Sequence, residues 1–192
     1  MVEHLGSGTG EVYDAAQAVL DFWFKEVPPD KQFARDEALD QEINRRFGQW
    51  RDDVFANDAL GWRSEPETLL AAIILLDQFS RNIYRGSARA FEADPLAESL
   101  AHEGIERGWD RTLPPEQAAF LLMPLMHAEH VDAQALSVAK FEELGIEENL
   151  HFAREHAAVF ERFGRFPGRN EALGRGSTPE EEDYLSQPGA GW

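Results

Sequence analysis

Two stretches of this chain are apolar on nearly every side, and they constrain its fold more than any other feature. The first runs from about Pro66 to Arg81 and contains the longest apolar run, Leu69 to Leu76. The second opens at Pro114-Pro115 and continues AAFLLMPLMHAEH. A helix without a polar face has to be covered by other elements. We therefore predict two buried helices, the second kinked at Pro124 because proline donates no backbone hydrogen bond.

The remaining sequence supplies amphipathic helices to cover them, because apolar residues recur at helical spacing along most of it. The predicted helices cover Glu11–Lys25, residues 36–57, Ser87–Phe91, residues 94–108, Val131–Leu144, Asn149–Phe163 and a short segment after Thr178. Asp36 and Ser87 can each cap a helix. Ser64 with Glu67, and Thr178 with Glu181, have the spacing of capping boxes.

No segment has the alternating pattern of a strand, so the predicted fold class is all-α. About seven main helices with mostly short connections favour antiparallel neighbours, in a helical-hairpin bundle or a short solenoid of helix pairs. We predict one helical domain over residues 11–192, preceded by a flexible, glycine-rich segment at residues 1–10.

The composition excludes several functional classes. The 192 residues include no Cys, which excludes disulfides and cysteine-ligated metal centres. The formal charge of −18 disfavours nucleic acid and anionic lipid as partners. No apolar run approaches the ~20 residues that span a bilayer, and no signal peptide is visible, so a cytoplasmic protein is expected. Nucleotide-binding glycine motifs are absent as well, and no cofactor is expected.

The first candidate site follows the first buried helix, in LLDQFSRNIYRG. Asp77 lies on an apolar helix face, where a carboxylate is costly unless it is paired, and Arg81 is one turn away. Gln78, Asn82 and Arg85 follow at the helix end and suggest a pocket wall. The alternative is that Asp77 and Arg81 form a buried structural clamp.

The second candidate is the sequence MPLMHAEH, in which His127 and His130 share a helix face and Glu129 stands beside them. A hydrogen-bonded pocket histidine, a divalent metal site and ordinary surface or core histidines are the three interpretations. The spacing matches no zincin motif, and no metal is predicted. His151 and His156 are five residues apart, share no face and are weaker candidates.

The third candidate is the loop RFGRFPGRN, in which Arg165, Arg169 and Asn170 surround two phenylalanines. The phenylalanines are expected to anchor the loop to the core. The arginines then either reach an anionic ligand or bind the carbonyl ends of helices, a common structural use of arginine.

These three motifs, with VLDFWF near the start and STPEEEDYL near the end, resemble the bacterial family known as domain of unknown function 924. The resemblance covers nearly the whole chain. It implies an all-helical, tetratricopeptide-like, right-handed array of helices, and it implies no function. This sequence departs from the family pattern at Ser80, where proline is usual, and at His130, where an acid is usual. The second departure weakens the metal interpretation.

Two hypotheses for function follow. The first is a small-molecule site for an anionic or phosphorylated ligand, with His127 as acid–base group and Asp77 as its orienting partner. The ligand-binding residues would be Gln78, Arg81, Asn82, Arg85, Glu129, Arg165, Arg169 and Asn170. The second is a tetratricopeptide-like module that binds a protein partner through a peptide or helix. The sequence does not determine the oligomeric state.

Overall fold

The computed structural model describes residues 9–191, which form nine α-helices and no strand. The helices are α1 (Thr9–Asp21), α2 (Glu37–Ala56), α3 (Pro66–Ile73), α4 (Ser80–Ile83), α5 (Asp94–Glu106), α6 (Pro115–His127), α7 (Val131–Leu144), α8 (Glu147–Phe163) and α9 (Pro179–Leu185). Short 3₁₀ turns lie at Pro29–Lys31, Ala88–Ala90, Trp109–Arg111 and Pro167–Arg169. The all-α prediction is confirmed.

The two predicted central helices do lie in the core. Every side chain from Leu69 to Leu76 is inaccessible to solvent, and α6 is buried from Ala118 to Met126. Phe79 extends the core into an aromatic cluster, with its ring 5.3 Å from that of Trp23 and 5.2 Å from that of Phe47. The absence of a polar face on these helices therefore identified the core correctly.

The helix ends show where local sequence signals succeed. Asp36 caps α2, since its side chain accepts from the backbone N–H groups of Ala38 and Leu39. At α9 the backbone N–H of Glu181 donates to Thr178 Oγ1, and a carboxylate oxygen of Glu181 accepts from the backbone N–H of Thr178. Both predicted caps are confirmed.

Two predicted caps are wrong. At α3 the N-cap is Glu65 rather than Ser64, and the Glu65 N–H donates to Thr68 Oγ1. Pro66 thus occupies the first helical position, which suits its fixed φ and missing N–H. Ser87 makes no side-chain cap, and the residues that follow it form a 3₁₀ turn instead of the predicted helix.

No sequence pattern predicts the two π-helical segments of the structure, Phe22–Glu26 after α1 and Ile74–Phe79 between α3 and α4. A π-turn inside a helix is frequent at functional sites. The second segment carries Asp77, and the Asp77 carbonyl accepts a hydrogen bond of 2.8 Å from Arg81 Nη1. The polar motif therefore lies on an irregular backbone in the middle of the core.

The later helices pack in sequence, α5 on α6, α6 on α7, and α7 on α8. Helix α6 continues through Pro124 to His127, and the predicted kink there stays a prediction, as does the tetratricopeptide-like arrangement. Of the predicted flexible segment, residues 1–8 lie outside the described residues, and α1 begins at Thr9. Among residues 9–191 no helix combines the length and apolar character that membrane crossing requires.

Candidate functional site

The centre of the candidate site is a pair formed by Asp77 and His127. Asp77 comes from the π-helical segment and its side chain is 1% exposed, whereas His127 is the last residue of α6. His127 Nδ1 lies 2.7 Å from Asp77 Oδ1. The structure thus joins the first two sequence motifs, which are 50 residues apart, in one hydrogen bond.

Asp77 fixes the chemistry of the His127 ring. An ionised carboxylate only accepts hydrogen bonds, so Nδ1 carries the proton and donates it. In the neutral ring Nε2 is then a bare acceptor. Nε2 hydrogen-bonds to no residue in the described part of the chain, and the side chain is 15% exposed, in the wall of a cleft.

Asp77 stays ionised in spite of its burial. Burial alone would raise the pKa of its carboxyl, but Arg81 and His127 offset that effect and hold the pKa below its ordinary value. Arg81 Nη1 lies 3.1 Å from Asp77 Oδ1, and Gln78 Nε2 donates to Asp77 Oδ2 over 2.6 Å. The predicted clamp between Asp77 and Arg81 is present, and the histidine pair is built on it.

Asp94, at the start of α5, joins two of the predicted arginines. Its carboxylate accepts hydrogen bonds from both terminal nitrogens of Arg81, at 2.9 and 3.0 Å, and from Nη1 of Arg169 at 3.1 Å. Arg169 Nη2 also donates to the backbone carbonyl of His127 over 2.8 Å. The two arginines therefore hold the Asp77–His127 pair from opposite ends, through one shared carboxylate.

Arg169 is 7% exposed, and its guanidinium lies 4.8 Å from the ring centres of both Phe91 and Phe166. Burial, together with the nearby charge of Arg81, lowers its pKa to about 10. Arg169 is nevertheless charged at neutral pH, so it balances Asp94 as a permanent cation.

A second histidine, His156 of α8, lies behind His127, with the ring centres 5.9 Å apart. Its Nδ1 donates to the Phe152 carbonyl over 2.8 Å. Burial lowers the pKa of His156 to about 3, with a further contribution from His127. It is neutral at physiological pH and adds no charge beside the pair.

The cleft above this pair has a volume of about 480 Å³. It is lined by Ala88, Phe91, Glu92, Asp94, Pro95, Glu98, His127, Ala128, Glu129, His130, Arg169 and Leu173. These residues come from the segment before α5, from α5 itself, the end of α6, the link to α7 and the loop after α8. The second and third sequence motifs therefore line the cleft, and the first reaches it through the contact of Asp77 with His127.

Two predicted site residues lie elsewhere. Asn82 donates to Asp40 of α2 over 2.7 Å, and Arg85 binds both oxygens of the same carboxylate at 2.8 Å. Neither residue lines the cleft. Their contacts are those of a clamp between α4 and α2, rather than those of a pocket wall.

Three more of the predicted residues take part in a second polar network, near the chain's end. Glu129 binds Arg175 with both oxygens, at 2.7 and 3.0 Å, and accepts the Phe166 N–H at 2.6 Å. Arg165 binds both oxygens of Glu181, and Asn170 accepts from Arg175 Nε over 3.0 Å. We call these residues, Glu129, Arg165, Asn170, Arg175 and Glu181, the C-terminal clamp. Only Glu129 of the clamp lines the cleft.

His130 does not join His127 around a common ion. Its Nδ1 accepts from the Ala133 N–H over 3.3 Å, which caps α7, and its Nε2 lies 2.5 Å from Glu98 Oε1. No cluster of three or more His, Asp or Glu side chains within residues 9–191 is arranged to hold a metal ion.

The sequence analysis missed Asp94, Glu98 and His156 as site residues. Asp94 stands at the start of the predicted helix over residues 94–108, and that position does not reveal its contact with two arginines. Glu98 stands among many acids of an acidic chain, and nothing local distinguishes it. His156 was set aside because it shares no face with His151, although its partner across the fold is His127.

Fold and site together define the class, an all-helical protein with a buried Asp–His pair at the wall of an open cleft. The chain belongs to the family described as bacterial protein of unknown function (DUF924), whose model matches residues 19–189. It is similar to a solved protein of unknown function from Agrobacterium tumefaciens, with 40% identity and a TM-score of 0.86. That similarity covers 91% of this chain and 98% of the other. No curated protein shows significant similarity.

Proposed function

We propose that the cleft binds a small polar molecule and that His127 exchanges a proton with it. The observation that carries this proposal is the Asp77–His127 pair, which leaves Nε2 as an acceptor on the cleft wall. A half-buried histidine that is paired with a buried carboxylate beside a cavity is a common arrangement for acid–base chemistry. The π-turn at Asp77 supports it, because an irregular helix is retained where geometry serves a site.

The chemistry follows from the two ring nitrogens. A ligand hydroxyl, or a water beside the ligand, donates its hydrogen bond to Nε2 and transfers the proton to it. The imidazolium that forms keeps its Nδ1–H on Asp77, whose negative charge stabilises it. Asp77 therefore orients His127 and stabilises its charged form without changing its own protonation state.

The ligand's charge is a separate question. The sequence suggested an anionic or phosphorylated ligand, bound by Arg81, Arg85, Arg165 and Arg169. Each of these arginines is paired with a carboxylate of the chain. An anion would have to displace one of these carboxylates or share its arginine. Arg81 and Arg169 accordingly hold the Asp–His pair, and binding of an anion is an outcome to be tested.

The test is long-range ¹H–¹⁵N NMR of the histidine rings at pH 8, where an ordinary histidine is neutral. His127→Gln assigns the signal, and His151→Gln, on the exposed surface of α8, is the matched control. We expect the Nδ1–H tautomer at His127 and, in a screen of polar metabolites, at least one compound that shifts this signal saturably. An Nε2–H tautomer would contradict the proposal.

Asp77→Asn extends the test, because the asparagine amide can donate to Nδ1 and so reverse the tautomer. We expect the Nε2–H form in this variant and loss of the ligand response. The interaction module stays a prediction, and a partner protein that binds without changing the His127 signal would favour it.

A further inference from the structure

Most charged side chains around the cleft form groups in which positive and negative charges cancel. A side chain outside these groups therefore determines which ligand charge the cleft prefers. In the central group Asp77 and Asp94 face Arg81 and Arg169, two negative against two positive charges. None of these four side chains is more than 22% exposed. The centre of the site is therefore neutral as a whole.

The two neighbouring groups are balanced as well. Glu129 is matched by Arg175 in a two-oxygen contact. Glu92 and Asp52 share Arg51, which is fully buried, and Arg89, which contacts both carboxylates. Glu129 and Glu92, the lining carboxylates of these two groups, each have an arginine as a partner.

Glu98 is different from the other carboxylates of the lining. Its partners within the described part of the chain are two histidines, His130 at 2.5 Å and His102 at 3.6 Å, and its side chain is 17% exposed. A histidine balances a carboxylate only when it is protonated on both nitrogens. Neutral His130 donates a hydrogen bond to Glu98 and leaves its negative charge uncompensated.

The cap of α7 favours this neutral form of His130. Its Nδ1 has to be bare to accept from the Ala133 N–H, so a second proton on the ring would remove the cap. That proton would also place a positive charge at the start of a helix, where the dipole disfavours cations. Glu98 is therefore a carboxylate of the cleft lining that has no permanent cation as its partner.

We infer that the cleft selects a monocationic ligand that carries an ammonium group and a hydroxyl group, as an amino alcohol does. The ammonium pairs with Glu98, and the hydroxyl donates to His127 Nε2. This inference rests on the proposed function, since it specifies the ligand of the same site. A singly charged anion meets the opposite situation, because every arginine at the cleft already has its carboxylate.

The experiment compares three molecules of one chain length: 4-amino-1-butanol, 1,4-butanediol and 4-hydroxybutyrate. Each has the hydroxyl, and their charges are +1, 0 and −1. Binding is measured at pH 8 and low salt from the His127 ring signal. We expect the amino alcohol to bind about fivefold more tightly than the diol, the upper range for an accessible ion pair, and the hydroxy acid more weakly. The difference should shrink in high salt.

Glu98→Gln should lower the affinity for the amino alcohol to that of the diol and leave the diol unaffected. Glu103→Gln is the matched control on the same helix, because Glu103 pairs with Arg63 and Arg107 away from the cleft. Its affinity for the amino alcohol should equal that of the wild type.

The outcomes separate the two claims. Tightest binding of the hydroxy acid, or equal binding of all three, overturns the inference about charge while a saturable His127 shift upholds the site. An amino alcohol preference that survives Glu98→Gln also overturns the inference. If none of the three molecules changes the His127 signal while other polar metabolites do, the inference fails alone. If no molecule changes it, the proposed function fails with it.

Discussion

The Asp77–His127 centre and the C-terminal clamp are both networks of arginine and carboxylate, yet they differ in what they leave available. In the clamp, Arg175 and Arg165 each bind a carboxylate through two nitrogens, and Nη2 of each also donates to a backbone carbonyl. In the centre, the same kind of pairing holds a histidine whose second nitrogen lines a cleft. Arginine–carboxylate pairs alone therefore indicate a structural role. A histidine held among such pairs at a cleft indicates a candidate functional site.

The loop RFGRFPGRN shows how closely the two networks lie. Arg169 extends to Asp94 and His127, whereas Arg165, four residues earlier, extends to Glu181. The same motif thus contributes one residue to the centre and another to the clamp. Comparable substitutions in the two networks should separate stability from site chemistry.

The largest effect is expected from Asp77→Ala. It removes the common partner of Arg81 and His127 from a position that is 1% exposed, and both half-buried side chains lose this contact. Breaking a buried pair in this way costs about 3–5 kcal/mol. Urea denaturation measures the change in free energy of unfolding. If the free energy of unfolding falls by less than about 1 kcal/mol, the Asp77–His127 centre contributes no more to stability than an exposed ion pair does.

A smaller loss is expected from Glu129→Ala in the clamp. Arg175 is 23% exposed, so water can replace part of the lost contact, although the Phe166 N–H loses its acceptor. An unsatisfied group of this kind costs about 1–3 kcal/mol. The same urea titration, with the His127 NMR signal recorded beside it, should show lower stability and an unchanged tautomer. A changed tautomer would mean that the two networks act as one.

The clamp should also determine how the protein responds to acid. Arg165 lowers the pKa of Glu181 to about 2 in the folded chain, and in the unfolded chain the carboxyl has its ordinary, higher value. Ionised Glu181 therefore contributes its full share of folding stability when the pH is above the ordinary pKa of the carboxyl. That contribution is lost as the pH falls toward 2. One proton gives a slope of at most about 1.4 kcal/mol per pH unit. Glu181→Gln should flatten this part of the stability–pH curve, and an unchanged slope would contradict the assignment.

The sequence was sufficient for the parts of the molecule that depend on short-range patterns. Two all-apolar helices identified the core, and Asp36 and Thr178 identified helix starts, because these signals act within a few residues. Ser64 failed for the same local reason, since Glu65 one residue later competes for the same cap. Of the candidate site, the sequence indicated the central residues Asp77 and His127, because a carboxylate on an apolar helix face needs a polar partner.

The rest depended on contacts that no spacing reveals. Asp94 meets Arg169 across 75 residues, and Asp40 takes Arg85 away from the cleft across 45. The π-turn that carries Asp77 has the sequence ILLDQF, which contains no glycine or proline that would mark it. Which arginines belong to the centre and which to a clamp is a property of the tertiary fold.

The smallest effect on stability is expected where the proposed ligand contact is made. Glu98→Gln removes a carboxylate whose partners are two partly exposed histidines, so little favourable charge interaction is lost. The free energy of unfolding should change by less than about 0.5 kcal/mol, as for most surface substitutions. Thermal and urea unfolding at pH 8 measure it against Glu103→Gln. A loss above 1 kcal/mol would assign Glu98 a structural role and remove the contrast with the clamp. A negligible loss combined with weaker binding of the amino alcohol would mean that Glu98 contributes to ligand binding rather than to folding.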